Sequence, residues 1–195
     1  ATYSLKAGEF SLDALAGISQ EYDRYENESF LKYDLIDDSM TSIDAATTNG
    51  NVGGNYTEWA MRSYFGRVNL SWDDRYLLEA NLRADGSSKF APGHRWGYFP
   101  SVSAGWRLSQ ERFMERARTW LDHLKLRASY GSLGNNSTTT YYMYQSLFST
   151  QGYVLGGTTA GGFAQTVLSN PSLSWEKTYM ANVGIDFAVL NNRLS

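Results

Sequence analysis

The sequence predicts an all-β chain, an antiparallel segment of a transmembrane β-barrel with about seven strands and one short helix in a connection. Three observations predict it. Long runs alternate apolar and polar side chains with a period of two, which is the period of a strand. Aromatic residues make up 15% of the chain although its mean hydropathy is -0.43. That combination arises where only every second strand residue meets lipid. Short and long connections also alternate along the chain, as in barrels with tight turns on one side and long loops on the other.

The clearest run is Arg75 to Gly86. Tyr76, Leu78, Ala80, Leu82 and Ala84 form an apolar parity, and Glu79, Asn81, Arg83 and Asp85 the polar one, with Leu77 the only lapse. Its length meets the roughly 9–11 residues that a tilted transmembrane strand needs. From the start of the chain, Tyr3, Leu5 and Ala7 begin a first strand, and Gly8-Glu9 is a tight connection. Phe10, Leu12, Ala14, Ala16 and Ile18 follow as the apolar parity of a second strand, which turns polar at Gln20, Tyr22 and Arg24. Residues 27–55 read as a long excursion, with a short acidic helix within 31–46 and turn chemistry at Asn49-Gly50-Asn51 and Gly53-Gly54-Asn55.

Tyr64, Gly66, Val68, Leu70 and Trp72 end a third strand, with Phe65 an exception on the polar parity, and Asp73-Asp74 turns into the fourth. After a loop at 86–97, Tyr98, Val102, Ala104, Trp106 and Leu108 mark a fifth. Ser109 is a candidate cap for an amphipathic helix over 110–122, in which Phe113, Ala117, Trp120, Leu121 and Leu124 recur at spacings of three and four. Leu124, Leu126, Ala128 and Tyr130 give a sixth strand. Residues 134–172 read as a long polar loop, and Tyr179, Ala181, Val183, Ile185, Phe187 and Val189 give a seventh strand. Asn191-Asn192 reads as the next turn and Arg193-Leu194-Ser195 as the start of another strand, so a longer chain is expected.

Short connections (Gly8-Glu9, Asp73-Asp74, 109–123, Asn191-Asn192) fall on one side and long ones (27–55, 86–97, 132–174) on the other. This is the periplasmic and external asymmetry of outer-membrane barrels. Trp72, Tyr76 and Trp106 would stand in an interfacial girdle beside the short turns. The alternative is a soluble all-β carbohydrate-binding module whose apolar parity faces a second sheet. Strands near twice the usual 5–6 residues, and apolar parities free of Lys and Arg across their centres, favour lipid. A lone passive pore is a third reading and needs a complete strand set.

Other classes lose ground on composition. A net charge of -3 leaves no nucleic-acid footprint, and no run of about 18 apolar residues marks a membrane helix. No cysteine is present, which removes disulfides and thiolate metal sites. Ala1-Thr2-Tyr3-Ser4 carries no signal peptide.

Arg83-Ala84-Asp85-Gly86-Ser87-Ser88-Lys89-Phe90 followed by Gly97-Tyr98-Phe99-Pro100-Ser101-Val102-Ser103-Ala104-Gly105-Trp106-Arg107-Leu108-Ser109 resembles the barrel signature of the SusC/RagA family of TonB-dependent outer-membrane transporters. Leu124 to Gly131 with Gly134-Asn135, then Asn170 to Thr178 and Asn182 to Asp186, resemble the family's following strands in order. The resemblance implies a barrel of about 22 strands with a plugged lumen. Residues 1–195 would form a partial barrel domain, with the plug and energy-coupling segment absent from this sequence. It further implies residence in the cell outer membrane of a Bacteroidota cell, contact with outer-membrane lipid and a SusD-like surface lipoprotein as lid. The cargo would be an oligosaccharide or peptide, and the drive the TonB energy-coupling complex. Gated passage, not catalysis, is expected, with no cofactor.

Arg67, Glu79, Arg83, Asp85 and Arg127 are the expected lumen-facing residues. Tyr141, Tyr142, Tyr144, Phe148 and Tyr153 crowd one external segment and, with Trp96 at the rim, are the candidate ligand contacts. Trp96 equally suits the rim or a lid interface, and the loop tyrosines equally suit packing. His94 and His123 are isolated, Asp73-Asp74 suits a turn, and Asp34, Asp37, Asp38 and Asp44 lack the spacing of a calcium loop. Gly156-Gly157 and Gly161-Gly162 lack a phosphate-loop pattern and read as flexible loop. Asn55-Tyr56-Thr57 and Asn136-Ser137-Thr138 match glycosylation triplets that a bacterial setting leaves inert.

Overall fold

The computed structural model describes residues 1–137, 141–190 and 193. The expected Asn191-Asn192 turn, the strand start at 194–195 and Thr138 of the second triplet lie outside them. The strands are β1 (Thr2–Ala7), β2 (Phe10–Leu35), β3 (Ala46–Trp72), β4 (Tyr76–Ser87), β5 (Trp96–Arg107), β6 (Leu121–Asn135), β7 (Leu147–Leu155), β8 (Thr158–Val167) and β9 (Glu176–Val189). β1 to β6 and then β9 form one seven-stranded antiparallel sheet in chain order, while β7 and β8 pair only with each other. The sheet is an open piece of wall. Gly8 at φ 61 and Asp73 and Asp74 at φ 50 and 48 make the tight turns, in the left-handed region that two-residue hairpin turns require.

Register carries the alternation across the whole sheet. Phe10, Trp72, Tyr76, Trp106, Leu126 and Ile185 share one row, and Leu12, Leu70, Leu78, Ala104, Ala128 and Val183 the next row on the same face. Trp72, Tyr76 and Trp106 form a ladder of rings with centroids 5.7 and 6.2 Å apart. Across β2 to β5 no charged residue on this face stands between the Trp72 row and Arg62, ten positions up β3. At a rise of ~3.4 Å per residue and a tilt of ~40°, ten residues climb about 26 Å, close to the ~25 Å apolar band of outer-membrane barrels. Among the described residues no second layer covers the face: Val183 is 87% exposed, Leu78 42% and Trp106 37%. Among the described residues no second sheet packs on this face as a soluble module would need.

Three stretches differ from the sequence reading. The excursion at 27–55 is mostly strand, because β2 and β3 stay paired from Asn27–Asn55 out to Leu35–Ala46. Beyond the lipid band both faces of this ribbon meet water, so the alternation that marks a half-buried strand disappears while pairing continues. Of the helix expected within 31–46, only a 3₁₀ turn at Ile43–Ala45 exists. Gly50 is a packing position: a Cβ there would stand 2.7 Å from the Leu31 carbonyl oxygen and from the Tyr33 ring. The loop at 134–172 holds the β7–β8 hairpin, turned by Gly156 and Gly157 at φ 60 and 82. The helix expected at 110–122 is two 3₁₀ segments, Leu108–Gln110 and Arg112–Thr119. Ser109 lies inside the first, and its carbonyl, not its hydroxyl, is the useful group, accepting from Arg118 Nε at 2.8 Å.

Candidate functional site

The face opposite the aromatic ladder is polar, and its groups satisfy one another along and across strands. Arg67 Nε donates to Asn81 Oδ1 at 2.9 Å, and Asn81 Nδ2 donates to Glu79 Oε1 at 2.8 Å. Arg83 Nε donates to both Asp85 carboxylate oxygens at 2.8 Å, and its Nη2 donates to Ser63 Oγ at 3.0 Å. Arg127 Nε stands 3.2 Å from Asp186 Oδ1. Strand parity thus brings Arg67, Glu79, Arg83, Asp85 and Arg127 to one face. The lapses in alternation belong to this face too. Phe65 lies over Gly17, where a Cβ would meet the ring at 2.5 Å, and its ring receives the Arg83 guanidinium at 5.9 Å. Leu77 sits beside Gly105. A shallow trough of about 660 Å³, floored by Asp13, Asn69, Glu79, Lys125 and Arg127, opens on the same side.

At the end of this face away from the short turns, the 88–95 loop folds inward. Ser88 continues the β3 ladder: its N–H donates to the Ala60 carbonyl and its Oγ accepts from the Ala60 N–H, both at 2.9 Å. Phe90 then enters a small core with Phe99 and Trp175, flanked by Met61 and Leu173. Trp175 Nε1 donates to the Arg95 carbonyl at 2.7 Å. Lys89, 8% exposed, places its ammonium 4.5 Å from the Trp59 ring centroid and 4.8 Å from that of Tyr141. Tyr142 donates its hydroxyl proton to the Glu58 carbonyl, and its ring meets Tyr144 edge-on at 6.2 Å.

Tyr141, Tyr142 and Tyr144 therefore gather at one rim, held by β3 and Lys89. Phe148 and Tyr153 lie apart from them on β7, 64% and 48% exposed. Trp96 is on the apolar face, stacked on Tyr64 at 5.7 Å. Trp59 and Lys89 escaped the sequence reading; the signal was an aromatic on the polar parity of β3, the same oddity that Phe65 displayed. Lys89→Ala removes a pair of cation–π contacts worth about 0.5–2 kcal/mol each. Faster hydrogen exchange at 141–145, with β4 unchanged, is the expected result.

At the opposite end, the β5–β6 connection sends Glu111 under the aromatic ladder. Its Oε1 accepts from Tyr76 Oη at 2.7 Å and Trp106 Nε1 at 3.0 Å, and its Oε2 accepts from Arg75 Nη1 at 3.2 Å. Arg75 also pairs with Asp73 in the β3–β4 turn. The Trp106 indole first, then the Tyr76 hydroxyl and the Arg75 guanidinium, hold the Glu111 carboxyl below its usual range. A lowered folded value means stabilisation that is complete above the unfolded carboxylate value and is lost as pH falls through the folded one. Glu111→Gln should be less stable than the parent at neutral pH and flatter in its acid limb, read as melting temperature across pH 7 to 3.

Two of the acidic residues at 34–44 are engaged locally: Asp37 Oδ1 accepts from Ser39 N at 2.8 Å, and Asp34 Oδ2 from Thr48 Oγ1 of β3 at 2.7 Å. Among the described residues no three His, Cys, Asp or Glu converge as metal ligands.

A one-layer antiparallel sheet with one apolar face, a polar reverse and an aromatic ladder defines a segment of transmembrane β-barrel wall. The family model described as TonB dependent receptor-like, beta-barrel matches residues 2–195. TonB-dependent receptor P3 of Formosa agariphila is 30% identical over 200 residues, covering 99% of this chain and 19% of that protein. TonB-dependent receptor SusC of Bacteroides thetaiotaomicron is 37% identical over 142 residues, covering 71% of this chain and 14% of SusC. The solved structure of the RagAB peptide transporter superposes with a TM-score of 0.82 at 27% identity, over 98% of this chain and 21% of that one. The chain belongs to the TonB-dependent receptor-like β-barrel family and is of its SusC/RagA type. It spans about a fifth or less of the length of these relatives.

Proposed function

We propose that residues 1–195 are part of the barrel wall of an outer-membrane, TonB-dependent nutrient importer, with the plug and energy-coupling segment in parts of the protein beyond this sequence. The observation that carries this reading is the face free of charge from Trp72 to the row below Arg62 across β2 to β5, backed by a polar face whose arginines pair along and across strands. In that reading Arg67, Glu79, Arg83, Asp85 and Arg127 face the lumen and plug. Tyr141, Tyr142, Tyr144, Phe148 and Tyr153 meet cargo, either an oligosaccharide or a peptide, beneath a SusD-like lipoprotein. Trp96 belongs instead with Tyr64 and Tyr98 in an external girdle, because its parity turns it from the lumen. The RagAB peptide transporter among the matched structures supports the peptide class.

The test is uptake of labelled oligopeptides and oligosaccharides by cells with and without the full-length protein, each with and without a protonophore. Energy-dependent uptake of one class, lost on deletion, is the expected result. Uptake unchanged by deletion for both classes contradicts it.

A further inference from the structure

At the level of the external girdle lies a pocket of about 240 Å³ whose lining includes Gln20, Arg62, Ser88 and Trp96 from the apolar parity and Arg95 from the neighbouring polar parity. Its chemistry is one-sided. No carboxylate lines it, and among the described residues neither Arg62 nor Arg95 makes an ion pair. Arg62 Nη2 donates to Gln20 Oε1 at 3.3 Å, which turns the Gln20 amide N–H₂ outward as a further donor. Ser88 Oγ accepts from the Ala60 N–H at 2.9 Å and keeps its own proton to give. Arg95 Nε donates to the Phe90 carbonyl at 3.2 Å, leaving the fork of its guanidinium. Two guanidiniums, an amide and a hydroxyl around one hollow form a donor set suited to a phosphate.

Position says which phosphate. Gln20, Arg62, Gly86 and Trp96 share one row, next to the row of Tyr64, whose ring stacks diagonally on Trp96. Gly86 lets the indole lie flat, since a Cβ there would meet Trp96 at 2.9 Å. Indole rings of a girdle sit at the level of lipid headgroups. The Arg62 guanidinium, in the row of that indole, on the lipid side and without a carboxylate, stands where headgroup phosphates are the available counter-ions.

We propose that this pocket holds the phosphate of an anionic lipid headgroup in the leaflet at the long-loop side. The proposal rests on the barrel-wall reading, because only a lipid-covered even parity brings headgroups there. It adds a built contact that anchors the wall in register with the membrane surface.

Full-length protein is purified in micelles doped with phosphatidylglycerol or phosphatidylcholine, and retained lipid is counted by native mass spectrometry. The parent should retain phosphatidylglycerol over phosphatidylcholine. Arg62→Gln and Arg95→Gln should each lower that retention about fivefold. Arg24→Gln, four residues beyond the pocket's Gln20 on β2 and already paired with Glu26 and Glu58, should change nothing. Equal retention by the double variant overturns the proposal, as does inorganic phosphate at low millimolar concentration displacing the lipid completely, which marks a free-anion site. A protein that stays soluble and monodisperse without any detergent overturns the wall reading itself, and the lipid site with it.

Discussion

Val102→Arg in the full-length protein should cost about 2–4 kcal/mol, the penalty for a guanidinium at the bilayer midplane on the lipid face of a barrel. Val102 stands in the row of Ala14, Val68, Ala80, Tyr130 and Ala181, between the Trp72 and Arg62 rows. It is 44% exposed, so no protein neighbour encloses it to shield a new charge. The informative partner is Ser103→Arg, one residue away. Ser103 is on the polar face directly across from Glu79, so an arginine there gains a carboxylate and should shift stability by about 0.5 kcal/mol or less. Urea unfolding of the protein in lipid vesicles measures both. A soluble fold gives no reason for so large a gap between adjacent residues that are both partly open.

Phe90→Ala should act just as strongly but locally. Phe90 is 1% exposed, and its ring lies 5.7 Å from Trp175, which in turn meets Phe99 edge-on at 5.3 Å. Emptying a fully buried phenylalanine site costs about 3–5 kcal/mol. The core it belongs to ties the 88–95 loop to the segment before β9, while the strands keep their own ladders. The loss should therefore appear as local opening, not barrel collapse. Hydrogen exchange at 88–95 and 173–177 should quicken on the order of 100-fold or more, at about 1.4 kcal/mol per tenfold. The short-turn end, from Trp72 to Tyr76, should exchange as before.

The parts of this fold that were legible in the sequence lie where one strand face meets an apolar medium. Tyr76 to Ala84 and Tyr179 to Val189 announce themselves because lipid exposure forces every second residue to be apolar. The outer halves of β2 and β3 and the β7–β8 hairpin carry no such pattern, since water meets both faces and any polar sequence that pairs will serve. Gly156-Gly157 was the one signal for the second hairpin, and a glycine pair in a serine- and threonine-rich stretch reads as loop until its partner strands are seen. The short helix kept its place but changed its geometry: with β6 starting at Leu121, the connection is pulled into 3₁₀ turns. Of the site, parity sufficed to put Arg67, Arg83 and Arg127 on one face. The same rule, applied to Trp96, puts it on the apolar face with Tyr98 and Trp106. What no periodicity could reveal was convergence between distant segments, such as Lys89 between Trp59 and Tyr141 or Glu111 beneath Tyr76 and Trp106.

The sharpest test reads β4 one residue at a time. Single cysteines at 77 through 85, in a full-length protein freed of any other cysteine, give clean attachment points for a nitroxide on reconstitution in vesicles, and this segment has none to remove. Collision with oxygen, which concentrates in lipid, should peak at 78, 80, 82 and 84 and fall at 79, 81, 83 and 85. A flat profile, or even positions reached by a water-soluble nickel chelate in preference to oxygen, would contradict a wall whose even side is clothed in lipid.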